Sequence, residues 1–98
     1  MIIVIGSITS RDGCLNELVS LSLEHVRRSR IEQGCLLHAV HKDMENPLRL
    51  VFVEKWVDRR ALEDHFALQA SRDFVRSARK LAAESPMMEI FEAEVLQI

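Results

Sequence analysis

Apolar side chains recur along this chain with two periods, and the periods separate strands from helices. Residues 1–9 are rich in β-branched residues and uncharged, with Ile2 and Val4 on one parity and Ile3 and Ile5 on the other, which predicts a strand covered on both faces. Asp12 and Gly13 make a turn with Asp12 as the expected N-cap; Leu15, Leu18, Val19, Ser22 and Val26 then return at helical spacing to about Glu32, and Gly34 closes the helix. Residues 35–42 predict a second strand, 43–47 a turn and 48–56 a third strand, so the two pair as a hairpin. Asp58 is expected to cap a short helix to about Leu68 and Ser71 another to about Glu84, before Ser85 and Pro86 break the pattern ahead of a last strand over 87–96.

The resulting order, βαββααβ, predicts an α+β fold of the ferredoxin-like kind: an antiparallel sheet with helices on one face. The second face then carries Val51, Val53, Phe91, Ala93 and Val95, too apolar to be left in water. A partner's sheet is the natural cover, so a homodimer forming a dimeric α+β barrel is expected. Ninety-eight residues leave room for one domain over 1–98.

Composition narrows the function classes. The chain is 48% hydrophobic and 29% charged, which suits a folded domain. A net charge of −2 with mixed signs offers no field for nucleic acid, and Arg27, Arg28 and Arg30 read as the solvated end of the first helix. No stretch approaches the ~18 apolar residues of a membrane span, and Met1–Ile5 does not resemble a signal peptide. Cys14 and Cys35 form neither a disulfide framework nor a zinc motif, so a reducing cytoplasm is the expected location. Cys14, near the first helix start, reads as a simple thiol in preference to a reactive one.

Gly34-Cys35-Leu36-Leu37-His38, Asn46-Pro47, Val53-Glu54-Lys55-Trp56-Val57-Asp58 and Ala61-Leu62-Glu63-Asp64-His65-Phe66 together resemble the antibiotic biosynthesis monooxygenase family, best over residues 34–66. The resemblance implies a small dimer and, among members with known activity, cofactor-free oxygenation of phenols and quinols or handling of a signalling furanone. Two positions depart from the family pattern: His38 stands where a Tyr is common, and Gln69-Ala70-Ser71 replaces a segment that carries a second His.

Dioxygen reacts slowly with closed-shell molecules, so an oxygenase needs a metal, a flavin or an electron-rich substrate. Gly6, Gly13 and Gly34 are the only glycines and form no dinucleotide loop, while His38 and His41 point to opposite strand faces and cannot share a metal. No cofactor and no metal are expected, which leaves a small aromatic or quinol-like substrate, or an enolisable carbonyl, that gives its own electrons to dioxygen. His65 is the expected base: its pKa lies near neutrality, and the stripe Leu62, His65, Phe66 and Gln69 turns it toward the sheet. Trp56, Phe66, His38, Phe52, Glu54 and Phe74 are the expected substrate-binding residues. Trp56 reads more often as a core aromatic than as a pocket wall, and Glu54 as a buried acid orienting His65 or, more commonly, the partner of an Arg across the dimer. His25 and His41 are expected to face solvent, and Phe74, Ala78, Leu81, Ala82, Met87 and Met88 to pack. The alternatives are a dimer that only holds a metabolite and a haem-binding or haem-degrading relative, in which Ser7 would stand near an expected Asn.

Overall fold

The computed structural model describes residues 1–98, in the order β1 (Ile2–Thr9), α1 (Leu15–Ser29), β2 (Cys35–Asp43), β3 (Asn46–Trp56), α2 (Arg59–Ala67), α3 (Gln69–Leu81) and β4 (Met87–Glu92). The strands form one antiparallel sheet in the order β2-β3-β1-β4, which is the ferredoxin-like α+β arrangement.

β1, expected to be covered on both faces, is buried by the chain itself on only one. Ile2, Val4 and Ile8 are buried under the helices with Leu50, Phe52 and Trp56 of β3. The opposite face carries Ile3, Ile5, Val51, Val53 and Phe91, none of them fully buried; β1 sets Ile3 against Phe91 and Ile5 against Val53. β4 stops at Glu92, short of the expected Leu96, so Ala93 and Val95 lie beyond the sheet. Glu92 is opposite Ile2, where β1 begins, and the pairing ends with Ala93 N–H donating to the Met1 carbonyl and the Met1 ammonium donating to the Ala93 carbonyl.

Helix boundaries depart from the pattern at three places. Cys14, not Asp12, is the N-cap of α1, with no side-chain bond, because Gly13 takes a positive φ and moves the start two residues on. α1 ends at Ser29, five residues before Gly34, so Gly34 shapes the turn into β2. A side chain at Gly34 would place its Cβ 2.6 Å from Ala61 Cβ and 2.9 Å from Val57 Cγ1, so this loop presses on the start of α2. Ser71 caps nothing. α3 begins at Gln69 after an extended Leu68, and Ser71 is buried inside its first turn; the helix stops at Leu81, where Ser10 and Ala82 form a bridge. Asp58 does cap α2, accepting from Ala61 N–H at 2.9 Å, a contribution of about 1 kcal/mol.

Two apolar clusters fill the helix–sheet layer. The larger joins Ile8, Leu18, Val26, Leu50, Phe52, Ala78 and Leu81, and the smaller joins Ile2, Val4, Trp56, Ala61 and Leu62. A polar group of side chains sits between them and forms the site.

Candidate functional site

Each of three helix or strand elements delivers one imidazole to this group. His25 lies seven residues after Leu18 and three after Ser22, on the inward stripe of α1, and is only 6% exposed. The expectation that it faces solvent is therefore corrected. Its ring stacks on Phe74 with centroids 4.1 Å apart, and its Nδ1 lies 3.2 Å from an Arg28 guanidinium nitrogen. Burial, reinforced by repulsion from His38, His65 and Arg28 and only partly offset by Glu54, lowers its pKa from 6.5 to about 3, so the ring is neutral at neutral pH.

His38 and Glu54 are directly opposite on β2 and β3. Both point toward the helices, and His38 is 1% exposed. Glu54 Oε1 accepts from Trp56 Nε1–H at 2.9 Å and lies 3.4 Å from His38 Nε2, a long contact that is mainly electrostatic. Burial pushes the Glu54 carboxyl pKa up, but His38, Trp56 and His65 outweigh it and hold the group below its usual range. Glu54 is thus a buried acid as one expectation had it, but its neighbours are His38 and Trp56. The carboxylate that bonds His65 is Glu32.

His65 is 3% exposed on α2, as its helical stripe requires. Its Nδ1 donates to Glu32 Oε1 at 2.7 Å, with Ser71 Oγ at 3.5 Å. The Trp56 indole lies beneath it at a centroid distance of 4.6 Å. Glu32 reaches it from the loop after α1, the loop that Gly34 allows to sit against α2.

A cavity of about 280 Å³ opens beside these residues, between the sheet, α3 and β4. Of the expected site residues, His65, Phe66, Phe52, Glu54 and Phe74 line it. Trp56 and His38 do not; both are buried behind its wall, Trp56 in the smaller apolar cluster and His38 edge-on to that indole at 6.1 Å. Met87 and Met88, expected to pack, are exposed at the rim. Gly6 lies on the helix-facing side of β1 between Val4 and Ile8 and also borders the space. Sequence reasoning missed His25, Glu32, Ser71 and Arg79. For His25 the signal was present, since it falls seven residues after Leu18 on a stripe already identified, but Glu32 comes from a loop and carries no periodicity.

Buried imidazoles, one of them fixed by a carboxylate, beside an apolar cavity with aromatic walls can bind a small planar molecule and take a proton from it. The volume suits one or two rings better than a tetrapyrrole, so the haem reading gains nothing here.

Residues 1–77 match the family model described as antibiotic biosynthesis monooxygenase, and the chain belongs to that family. A crystal structure of an antibiotic biosynthesis monooxygenase is 25% identical with a TM-score of 0.89, covering 97% of this chain and 100% of its own. A protein of Shewanella oneidensis is 27% identical with a TM-score of 0.87, covering 92% of this chain and 87% of its own. An uncharacterized protein of Synechocystis, sll1783, is 29% identical over 91 residues, which are 93% of this chain and 62% of the relative's length. No helix is long and apolar enough to cross a membrane.

Proposed function

We propose that this protein is a monooxygenase that needs no cofactor and acts on a small quinol or phenol, with His65 as the base and Glu32 as the residue that positions it. The observation that carries the reading is the 2.7 Å bond from His65 Nδ1 to Glu32. It leaves Nε2 as the nitrogen with a free lone pair, on a residue that borders the cavity. Phe52, Phe66 and Phe74 supply apolar walls for a planar ring.

For a hydroquinone the steps balance without an added reductant. His65 Nε2 takes a hydroxyl proton, and the anion passes an electron to dioxygen far more readily than the neutral form. The resulting radical pair joins at a ring carbon to form a C–O bond. Cleavage of the O–O bond then releases water and leaves a hydroxyquinone. One oxygen atom stays in the product, and the substrate supplies all four electrons. A low-polarity cavity favours this sequence by keeping bulk water from the oxygen adduct.

The uncovered apolar sheet face, with Ile3, Ile5, Val51, Val53 and Phe91, supports a homodimer in which a second copy packs its own sheet there. Oxygen uptake by metal-free protein against a panel of hydroquinones and phenols tests the activity. His65→Ala is expected to lower turnover by about 10²–10⁴-fold. No uptake with any member, alongside a ligand recovered unchanged from the cavity, would replace this reading with that of a metabolite-binding dimer.

A further inference from the structure

We propose that His25, His38 and His65 form a binding site for one divalent d-block metal ion, with an open coordination position toward the cavity. This goes beyond the oxygenase reading and stands without it.

The geometry is that of a three-imidazole site. One ring nitrogen from each residue lies within 4.8 Å of the other two, and all three residues are buried. The ring centroids are 5.2, 5.3 and 5.5 Å apart. A tetrahedral ion with nitrogen bonds of about 2.0–2.1 Å sets the centroids of its imidazoles about 5 Å apart, so the rings already have the right mutual spacing. Bringing the nitrogens together needs each ring to shift by less than about 1 Å.

An independent observation points to a missing ligand. Neither Nδ1 nor Nε2 of His38 has a hydrogen-bond partner, although the residue is almost wholly buried. Burying polar atoms without partners is costly, and a metal bond would satisfy one of the two nitrogens.

The surroundings match what histidine ligands need. Glu32 accepts from His65 Nδ1, and Glu54 lies beside His38 Nε2. A carboxylate in this outer position fixes the tautomer and raises ligand basicity, leaving His65 Nε2 to bind, while His38 has two unpartnered nitrogens from which to supply one. His25 supplies the third imidazole, its ring held in place by stacking on Phe74. Its neighbour Arg28 opposes a cation, but Arg28 also donates to the Ala70 carbonyl and pairs with Glu24, so it has other partners when His25 turns to the ion. Two carboxylates, buried Glu54 and partly buried Glu32, balance the charge of a divalent ion. Because His25 and His65 border the cavity, the fourth position faces it, as in metal sites that bind a substrate or water.

The ion and a substrate proton compete for the same His65 lone pair, so loading the site is expected to suppress any turnover that the metal-free protein shows. The direct test uses Co²⁺ and no substrate. Protein stripped with a chelator is titrated with Co²⁺ and followed by its visible absorption. The expected result is one equivalent bound per chain, intense bands of four-coordinate cobalt, and their loss on adding Zn²⁺. His38→Gln and His25→Gln, checked for folding by circular dichroism, should each weaken binding by at least about 100-fold, whereas His41→Gln should change nothing. Arg28→Ala should tighten it. Spectra that stay those of the hydrated ion, or binding that survives in folded His38→Gln, would overturn the proposal, and neither result depends on whether the protein consumes oxygen.

Discussion

Helix α1 buries two unlike regions with a single inward stripe. At Leu18 it meets Ile8, Leu50, Ala78 and Leu81, a wholly apolar cluster. Two turns later, at His25, it meets His38, His65 and Phe74. The first region gains from leaving water, at about 25 cal/mol per Å² of apolar surface. The second buries nitrogens and carboxylate oxygens that gain nothing from dryness, and it leaves both nitrogens of His38 and one oxygen of Glu32 without partners. The contrast teaches that one secondary-structure element can hold the fold through Leu18 and Val26 and present a reactive group at His25 between them, the apolar positions supplying the stability that the polar one costs.

Acid should break the polar region first. His25 has a folded pKa of about 3 against 6.5 in the unfolded chain, so between those values the unfolded state binds more protons and stability falls as pH drops. Glu54, with its pKa depressed by contacts with His38, Trp56 and His65, adds a further loss as pH falls through and below the ordinary carboxylate range. Denaturant melts of chelator-treated protein from pH 7 to pH 4 should show a steep decline, on the order of 3 kcal/mol from His25 alone, and His25→Leu should flatten it. An unchanged slope in that variant would mean that the ring is not held neutral by burial.

Leu18→Ala tests the apolar region. It should cost about 3 kcal/mol in denaturant melts while the turnover of the remaining folded fraction stays the same. A comparable fall in turnover per folded molecule would show that the two regions are not separate. Glu32→Gln should do the reverse, lowering oxygen uptake about tenfold through loss of the charge that orients and supports His65, with only a small change in melting temperature. The smallest expected effect is at Asp58→Ala, about 1 kcal/mol from loss of the α2 cap, with His65 still in place; a larger loss of uptake than of stability there would tie the cap to ring alignment.

The same contrast governs what could be read from the sequence. The apolar region was legible because periodicity is the direct record of burial: the stripes of α1 and α3 and the β-branched and apolar runs of the strands led to the element order, and the alternation in β3 and the last strand to the face turned away from the helices, whereas β1, apolar on both parities, gave no face of its own. His65 followed from its place beside Leu62. His25 shares a stripe with Leu18 and Ser22, but a histidine near Arg27 and Arg28 looks like part of a solvated helix end, and chemistry overrode spacing. Glu32 was out of reach, since its position depends on a loop folding over α2 at Gly34. Ser71 resembled a cap because serine serves that role well, yet Leu68 had already begun the helix. Trp56 was legible as aromatic and as sharing a strand face with Glu54 two residues before it, but only the side-chain geometry shows that its indole proton goes to that carboxylate.

Gly6 has a further consequence. An added Cβ there would come within 3.3 Å of the Met87 carbonyl, on the side of β1 that borders the open space. The room available to a guest molecule is therefore set in part by a backbone position that holds no reactive group. Alanine or serine at this point should act as a size filter, narrowing the range of ring systems admitted while the proton-transfer apparatus stays intact.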